Sequence, residues 1–105
     1  MIEISVDELK RRRDAGEDFM LLDVREPDEI ETASIPWAQV ISMREIPARI
    51  DEIPRDKPLV VMCHHGGRSE RVAQFLEANG YEEPANLTGG IDAWSASVDP
   101  TVPRY

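Results

Sequence analysis

Val60-Val61-Met62-Cys63-His64-His65-Gly66-Gly67-Arg68-Ser69-Glu70-Arg71 decides the reading of this chain. With Leu59 in front of it, Val60-Val61-Met62 makes a continuous apolar run, the mark of a strand covered on both faces. From Ser69 to Asn79 the residues Val72, Ala73, Phe75 and Leu76 recur at helical spacing, and Asn79-Gly80 supplies a stop. Between strand and helix lies a six-residue loop, Cys63–Arg68, that opens on the only cysteine of the sequence. A thiolate is a nucleophile, and a helix N-terminus stabilises its charge. Gly66 and Gly67 are expected to take positive φ and let backbone N–H groups converge on an anion. Arg68 brings a permanent positive charge with a donor fork, and Ser69 is placed to cap the helix with its hydroxyl.

Outward from this loop, short apolar stretches alternate with helical ones. Ile2 and Ile4 suggest a first strand. Ser5 then stands as N-cap with Glu8 three positions on, and Gly16 ends that helix near Ala15. Met20–Val24 reads as a second buried strand, and Pro27 with the acids behind it as a helix start. Val40-Ile41 is a weaker strand signal. Arg44–Ile53 reads as a helix with Pro47 near its start and Pro54 closing it. A short strand near Ala85–Leu87, the Gly89-Gly90 turn, a helix around Ile91–Ala96 and an extended tail complete the pattern. About five strands alternating with helices is the α/β plan, with crossover helices on both faces of a mostly parallel sheet. Ligands of such sheets bind outside the carboxyl ends of the strands, which is where Cys63 falls.

Length and composition agree with one packed unit over residues 1–105. Of the 105 residues, 41% are apolar and 31% charged, proportions of a globular rather than a disordered chain. No apolar run approaches the ~20 residues that span a bilayer, and the N-terminus lacks the plan of a signal peptide, so the expected compartment is the cytoplasm. The net charge of −9, from 21 acidic and 12 basic residues, argues against nucleic acid or an anionic membrane as partner. Any anion site must therefore be built locally. A lone cysteine excludes an internal disulfide, a Cys-x-x-Cys pair and a multi-thiolate zinc site, so whatever discharges Cys63 must come from outside.

The loop Cys63-His64-His65-Gly66-Gly67-Arg68-Ser69 resembles the active-site loop of rhodanese-like sulfurtransferases. Leu21-Leu22-Asp23-Val24-Arg25-Glu26-Pro27 is similar to the Asp-Val-Arg-Glu segment of that family, and Leu87-Thr88-Gly89-Gly90-Ile91-Asp92-Ala93-Trp94 to its Gly-Gly-x-x-x-Trp segment. The ending Val98–Tyr105 is similar to the tails of rhodanese domains found alone or fused behind ubiquitin-like-protein activating enzymes. The resemblance implies a rhodanese fold and a sulfurtransferase cycle. Cys63 takes a sulfane sulfur from thiosulfate or a persulfide, holds it as a covalent persulfide, and passes it to cyanide, a small thiol or a protein acceptor. No cofactor and no metal are implied. Carried over residue by residue, His64, His65, Gly66, Gly67, Arg68 and Ser69 hold the persulfide, while Asp23 and Arg25 support the loop. At Ala33-Ser34-Ile35-Pro36-Trp37-Ala38 the chain departs from the family's Gly-His-Ile-Pro-Gly-Ala, so that Trp37 either narrows the pocket or makes an apolar contact elsewhere.

Two other functions fit parts of the pattern. Phosphatases that share the fold use Cys-x5-Arg, whereas Arg68 lies five positions after Cys63, a tighter Cys-x4-Arg loop suited to one sulfur atom. A sulfur carrier or interaction module with little turnover is the other alternative. His64 and His65 are expected to shape the loop, one of them adding partial positive charge near neutral pH. As adjacent loop residues they seldom meet one ion, and no third ligand is evident. Trp94 reads as core, and Lys10–Arg13 as a solvated helix face or a docking patch.

Overall fold

All five apolar stretches become strands in the computed structural model, which describes residues 1–105. They are β1 (Ile2–Ile4), β2 (Met20–Asp23), β3 (Gln39–Val40), β4 (Leu59–Met62) and β5 (Ala85–Leu87). The sheet order is β1-β5-β4-β2-β3 and every pair is parallel. Parallel neighbours need crossovers, and four helices supply them: α1 (Val6–Asp14), α2 (Pro27–Thr32), α3 (Ile46–Arg49) and α4 (Gly67–Ala78), while α5 (Gly90–Ser97) follows the last strand. No helix is long and apolar enough to cross a membrane.

Alternation along the strands divides the core between two faces. Leu21, Val60 and Met62 pack with Val6 and Leu9 of α1 and with Ile91 and Trp94 of α5. Leu22, Val61 and Cys63 pack on the other side with Ile46 of α3 and with Val72, Ala73 and Leu76 of α4. β4, the middle strand, is buried throughout, as its unbroken apolar run requires. Its end therefore lies under both helical layers.

Local signals explain most boundaries. The Ser5 hydroxyl accepts from the Glu8 N–H at 3.1 Å, but the Glu8 carboxylate turns to Arg11 and Arg12, so only half of the capping box forms. One helix is shorter than its pattern suggests. In place of a continuous helix over Arg44–Ile53, α3 is a single turn between two 3-10 turns, Met43–Glu45 and Ile50–Glu52. Pro47 removes an N–H from a segment already too short to propagate. Trp37 packs edge-on between Phe19 and Trp94, with the Arg13 guanidinium 4.5 Å above its ring, so its contact is with the α1–α5 layer. The rest of the basic cluster is internally paired: Lys10 with Asp14, and Arg11 and Arg12 with Glu8. It forms a solvated, ion-paired helix face.

Candidate active site

β4 ends at Met62 and delivers Cys63 to the carboxyl edge of the sheet, where the residue is only 1% exposed. Gly66 then turns the chain back with φ +118, a left-handed conformation that favours glycine, and α4 starts at Gly67. That turn brings the Gly66 N–H to 3.1 Å from Cys63 Sγ. Gly67 differs from expectation. It is the first helical residue, its φ is not positive, and a Cβ there would meet nothing within 4 Å. One glycine makes the turn.

Because α4 begins two residues early, Ser69 lies inside it rather than at its cap. The hydroxyl points back under the loop, 3.3 Å from Cys63 Sγ, 3.1 Å from the Gly66 carbonyl and 2.5 Å from Asn86 Oδ1 of β5. Burial, the largest influence on the thiol, pushes its pKa up. The Ser69 hydroxyl and the N–H groups of Ser69, Gly66 and His65 outweigh it and hold Cys63 below the ordinary thiol value. The sulfur thus sits in a cradle of donors that stabilises negative charge on it.

The loop rests on the start of α5. The Cys63 carbonyl accepts from the Ile91 N–H at 2.9 Å and the His64 carbonyl from the Asp92 N–H at 3.1 Å. This contact is possible because Gly90 lacks a side chain and sits at φ +59. His64 and His65 lie ring on ring, centroids 3.8 Å apart. Burial, then the neighbouring His65, pushes the His64 pKa below its usual value, so His64 contributes less positive charge near neutral pH than its residue type suggests. Asp92 is the third potential ligand that the sequence did not reveal: one atom from each of His64, His65 and Asp92 fall within 4.8 Å of one another. Its carboxylate already accepts from Arg104 at 2.9 and 3.1 Å, and that guanidinium opposes a cation.

Arg68 is not free to receive an anion. It makes a bidentate pair with Glu29 of α2 at 2.6 and 2.8 Å. Arg68 above all, with Tyr105 assisting against some desolvation, holds the Glu29 carboxyl down to about 2. The Tyr105 hydroxyl donates to Glu29 at 2.7 Å and accepts from Arg25 at 3.0 Å, and its ring lies flat on His64 at 3.8 Å. Burial, with Glu29 adding to it and Arg25 opposing, pushes the Tyr105 phenol up to about 12. Asp23 and Arg25 form a buried bidentate pair, and Arg25 also donates to the Ala33 carbonyl at 2.9 Å. They reach the loop only through Tyr105 and Glu29.

Of the residues singled out from the sequence, Cys63, Gly66 and Ser69 converge on one sulfur atom, with the backbone of His65. Arg68 and His64 border it, and Asp23 and Arg25 stand behind. Glu29, Asn86 and Tyr105 join from distant segments. The one available signal was Asn86, a polar residue in the middle of a short buried strand.

A model of the rhodanese-like domain matches residues 5–97. The chain is 40% identical over 100 residues to a sulfurtransferase of Allochromatium vinosum, covering 95% of this chain and 94% of that protein. It is 41% identical over 93 residues to the chloroplastic rhodanese-like/PpiC domain-containing protein 12 of Arabidopsis thaliana, covering 85% of this chain but only 31% of the plant protein. Among solved structures, a rhodanese-like domain protein from Staphylococcus aureus superposes with a TM-score of 0.86 at 31% identity, covering 100% and 99% of the two chains.

Proposed function

The chain belongs to the family of rhodanese-like domains, and from that membership we propose that it is a sulfurtransferase whose working group is Cys63. The observation that carries the reading is the donor cradle around Sγ: the Gly66 N–H at 3.1 Å and the Ser69 hydroxyl at 3.3 Å, with further N–H groups from His65 and Ser69. Such a cradle stabilises a thiolate before attack and a terminal persulfide sulfur after it.

With thiosulfate as donor, the Cys63 thiolate attacks the sulfane sulfur. A new S–S bond forms, the bond to the sulfonate sulfur breaks, and sulfite leaves with the electron pair. The persulfide anion is one sulfur longer and carries the same charge as the starting thiolate. A thiophilic acceptor, whether cyanide, a small thiolate or a protein thiol, then attacks the outer sulfur and releases the Cys63 thiolate. The cycle calls for no metal and no cofactor. The absence of a second cysteine makes the acceptor a separate molecule, and a free buried thiol suits a reducing cytoplasm.

Engagement of Arg68 by Glu29 bears on the donor. The one arginine of the loop is neutralised, on a protein of net charge −9. We therefore favour a persulfide donor of low charge over the thiosulfate dianion in physiological use, thiosulfate serving as a convenient probe. The same pairing leaves no free guanidinium for a phosphoryl group and counts against a phosphatase.

Incubation of the purified protein with thiosulfate, followed by mass spectrometry, tests the proposal. It should gain one sulfur atom that a thiol removes. Equal gain by Cys63→Ser would refute it.

A further inference from the structure

A polar line runs from the edge of the sheet to the nucleophile. Glu3 of β1 and Asn86 of β5 are register partners. The Glu3 carboxylate accepts from Asn86 Nδ2 at 3.1 and 3.3 Å and from the Thr88 hydroxyl at 2.9 Å. A carboxylate can only accept, so the Asn86 amide must present its NH2 to β1 and its carbonyl oxygen inward. That oxygen meets the Ser69 hydroxyl at 2.5 Å, and Ser69 in turn lies 3.3 Å from Cys63 Sγ. Both Asn86 and Ser69 are buried.

The hydroxyl carries one proton and faces three acceptors: Asn86 Oδ1, the Gly66 carbonyl and Cys63 Sγ. A buried acceptor left without a donor is costly, and Asn86 Oδ1 is the nearest. We propose that Asn86, oriented by Glu3, is a positioning residue that holds the Ser69 proton away from Cys63 until charge on the sulfur draws it over. Glu3 sets the direction of the amide, the amide sets the direction of the hydroxyl, and the hydroxyl sets how readily the sulfur carries charge. The inference rests on Cys63 being the working nucleophile. It concerns ionisation of the thiol, which can be read without any sulfur donor.

Other charged or titratable groups surround the thiol: Arg68 with Glu29 on the α2–α4 side, His64 and His65 of the loop, and Asp92, Arg104 and Tyr105 beyond them. They are common to every variant below, so differences isolate the Glu3–Asn86–Ser69 line.

The test is the pH profile of Cys63 alkylation by iodoacetamide, measured for Asn86→Leu in two backgrounds, the parent and Ser69→Ala. With Asn86 removed the Ser69 proton is free for the sulfur, and the alkylation midpoint should fall by about one pH unit, roughly a tenfold gain in thiolate at a pH below the midpoint. In the Ser69→Ala background the same substitution should leave the midpoint where it was. Should Asn86→Leu fail to fold, Glu3→Lys on the exposed edge strand decides instead. A donor at that position requires the amide to reverse, so that Asn86 donates to Ser69 and the proton turns to Sγ. Its through-space charge acts in both backgrounds, and only the excess shift with Ser69 present counts. An equal shift in both backgrounds, or no shift in either, overturns the proposal. Failure of thiosulfate to load Cys63 in the mass-spectrometric experiment would instead refute the sulfur-transfer reading and leave this measurement standing.

Discussion

Replacing Gly90 by alanine should damage the site more than any other single methyl group added to the chain. A Cβ at Gly90 would lie 2.4 Å from the Cys63 carbonyl oxygen, 2.5 Å from that of His64 and 2.6 Å from the His64 carbonyl carbon. All three are backbone atoms, so no side-chain rotation relieves the contact, and the loop and α5 must separate by about 1 Å to reach ordinary van der Waals distance. Those same oxygens accept the Ile91 and Asp92 N–H groups at 2.9 and 3.1 Å. Weakening two such bonds costs about 1 kcal/mol each, and an alanine at φ +59 a further 1–2 kcal/mol or so. The sum, roughly 3–4 kcal/mol, is a large part of the ~5–15 kcal/mol that holds a typical domain together. Gly67→Ala is the matched control: its φ is not positive, its Cβ meets nothing, and removing a helical glycine should stabilise by about 0.5–1 kcal/mol. Equilibrium urea unfolding followed by the fluorescence of Trp37 and Trp94 measures both. A Gly90→Ala protein within 1 kcal/mol of the parent, or a Gly67→Ala protein equally destabilised, would refute the reasoning.

Two further substitutions probe the network behind the loop. Arg25→Met removes a fully buried guanidinium from a buried carboxylate, so the single variant should lose about 3–5 kcal/mol and Asp23→Asn/Arg25→Met should recover much of it, again read by urea unfolding. Glu29 has a folded-state pKa of about 2 against an ordinary 4.5, so the unfolded chain binds its proton first. Its contribution to stability is complete above about 4.5 and is lost as the pH falls towards 2; Glu29→Gln should flatten that stretch of the stability–pH curve. The same variant loosens Arg68 and should lower KM for the thiosulfate dianion several-fold while changing KM for a singly charged alkyl persulfide far less. If both donors respond alike, Arg68 is not what the glutamate restrains.

The sequence revealed most where the relevant residues are chain neighbours. β4, Cys63 and α4 were legible because a buried strand, a glycine turn and an amphipathic helix each leave a local pattern. The error at Ser69 was also local: the second glycine was read as part of the turn, whereas it is already helical, and the helix gains enough rotation to aim the hydroxyl at the sulfur. The charge of Arg68 was plain, yet its partner was not, since Glu29 sits 39 residues away and nothing in its own surroundings marks it. Glu3 and Asn86 meet only through the β1–β5 register, which no single sequence specifies. Trp37 was ambiguous for the same reason. Its neighbours Phe19 and Trp94 are named only by the fold.

The place of β5 between β4 and the edge strand β1 links the chemistry to the order of folding. β5 must insert between β4 and β1, and β1 joins it across a separation of 83 residues at Glu3 and Asn86. Contacts of such long range carry the heaviest loop-closure cost and tend to form late. Until β5 and the segment after it are in place, Gly90 is not beneath the loop and Tyr105 does not lie on His64. A nascent or partly opened chain therefore carries an exposed thiol without its full set of donors, and closure buries the sulfur among them. Exposure is lost and donors are gained together, so a change in the alkylation rate of the single cysteine reports the closing of this end of the sheet.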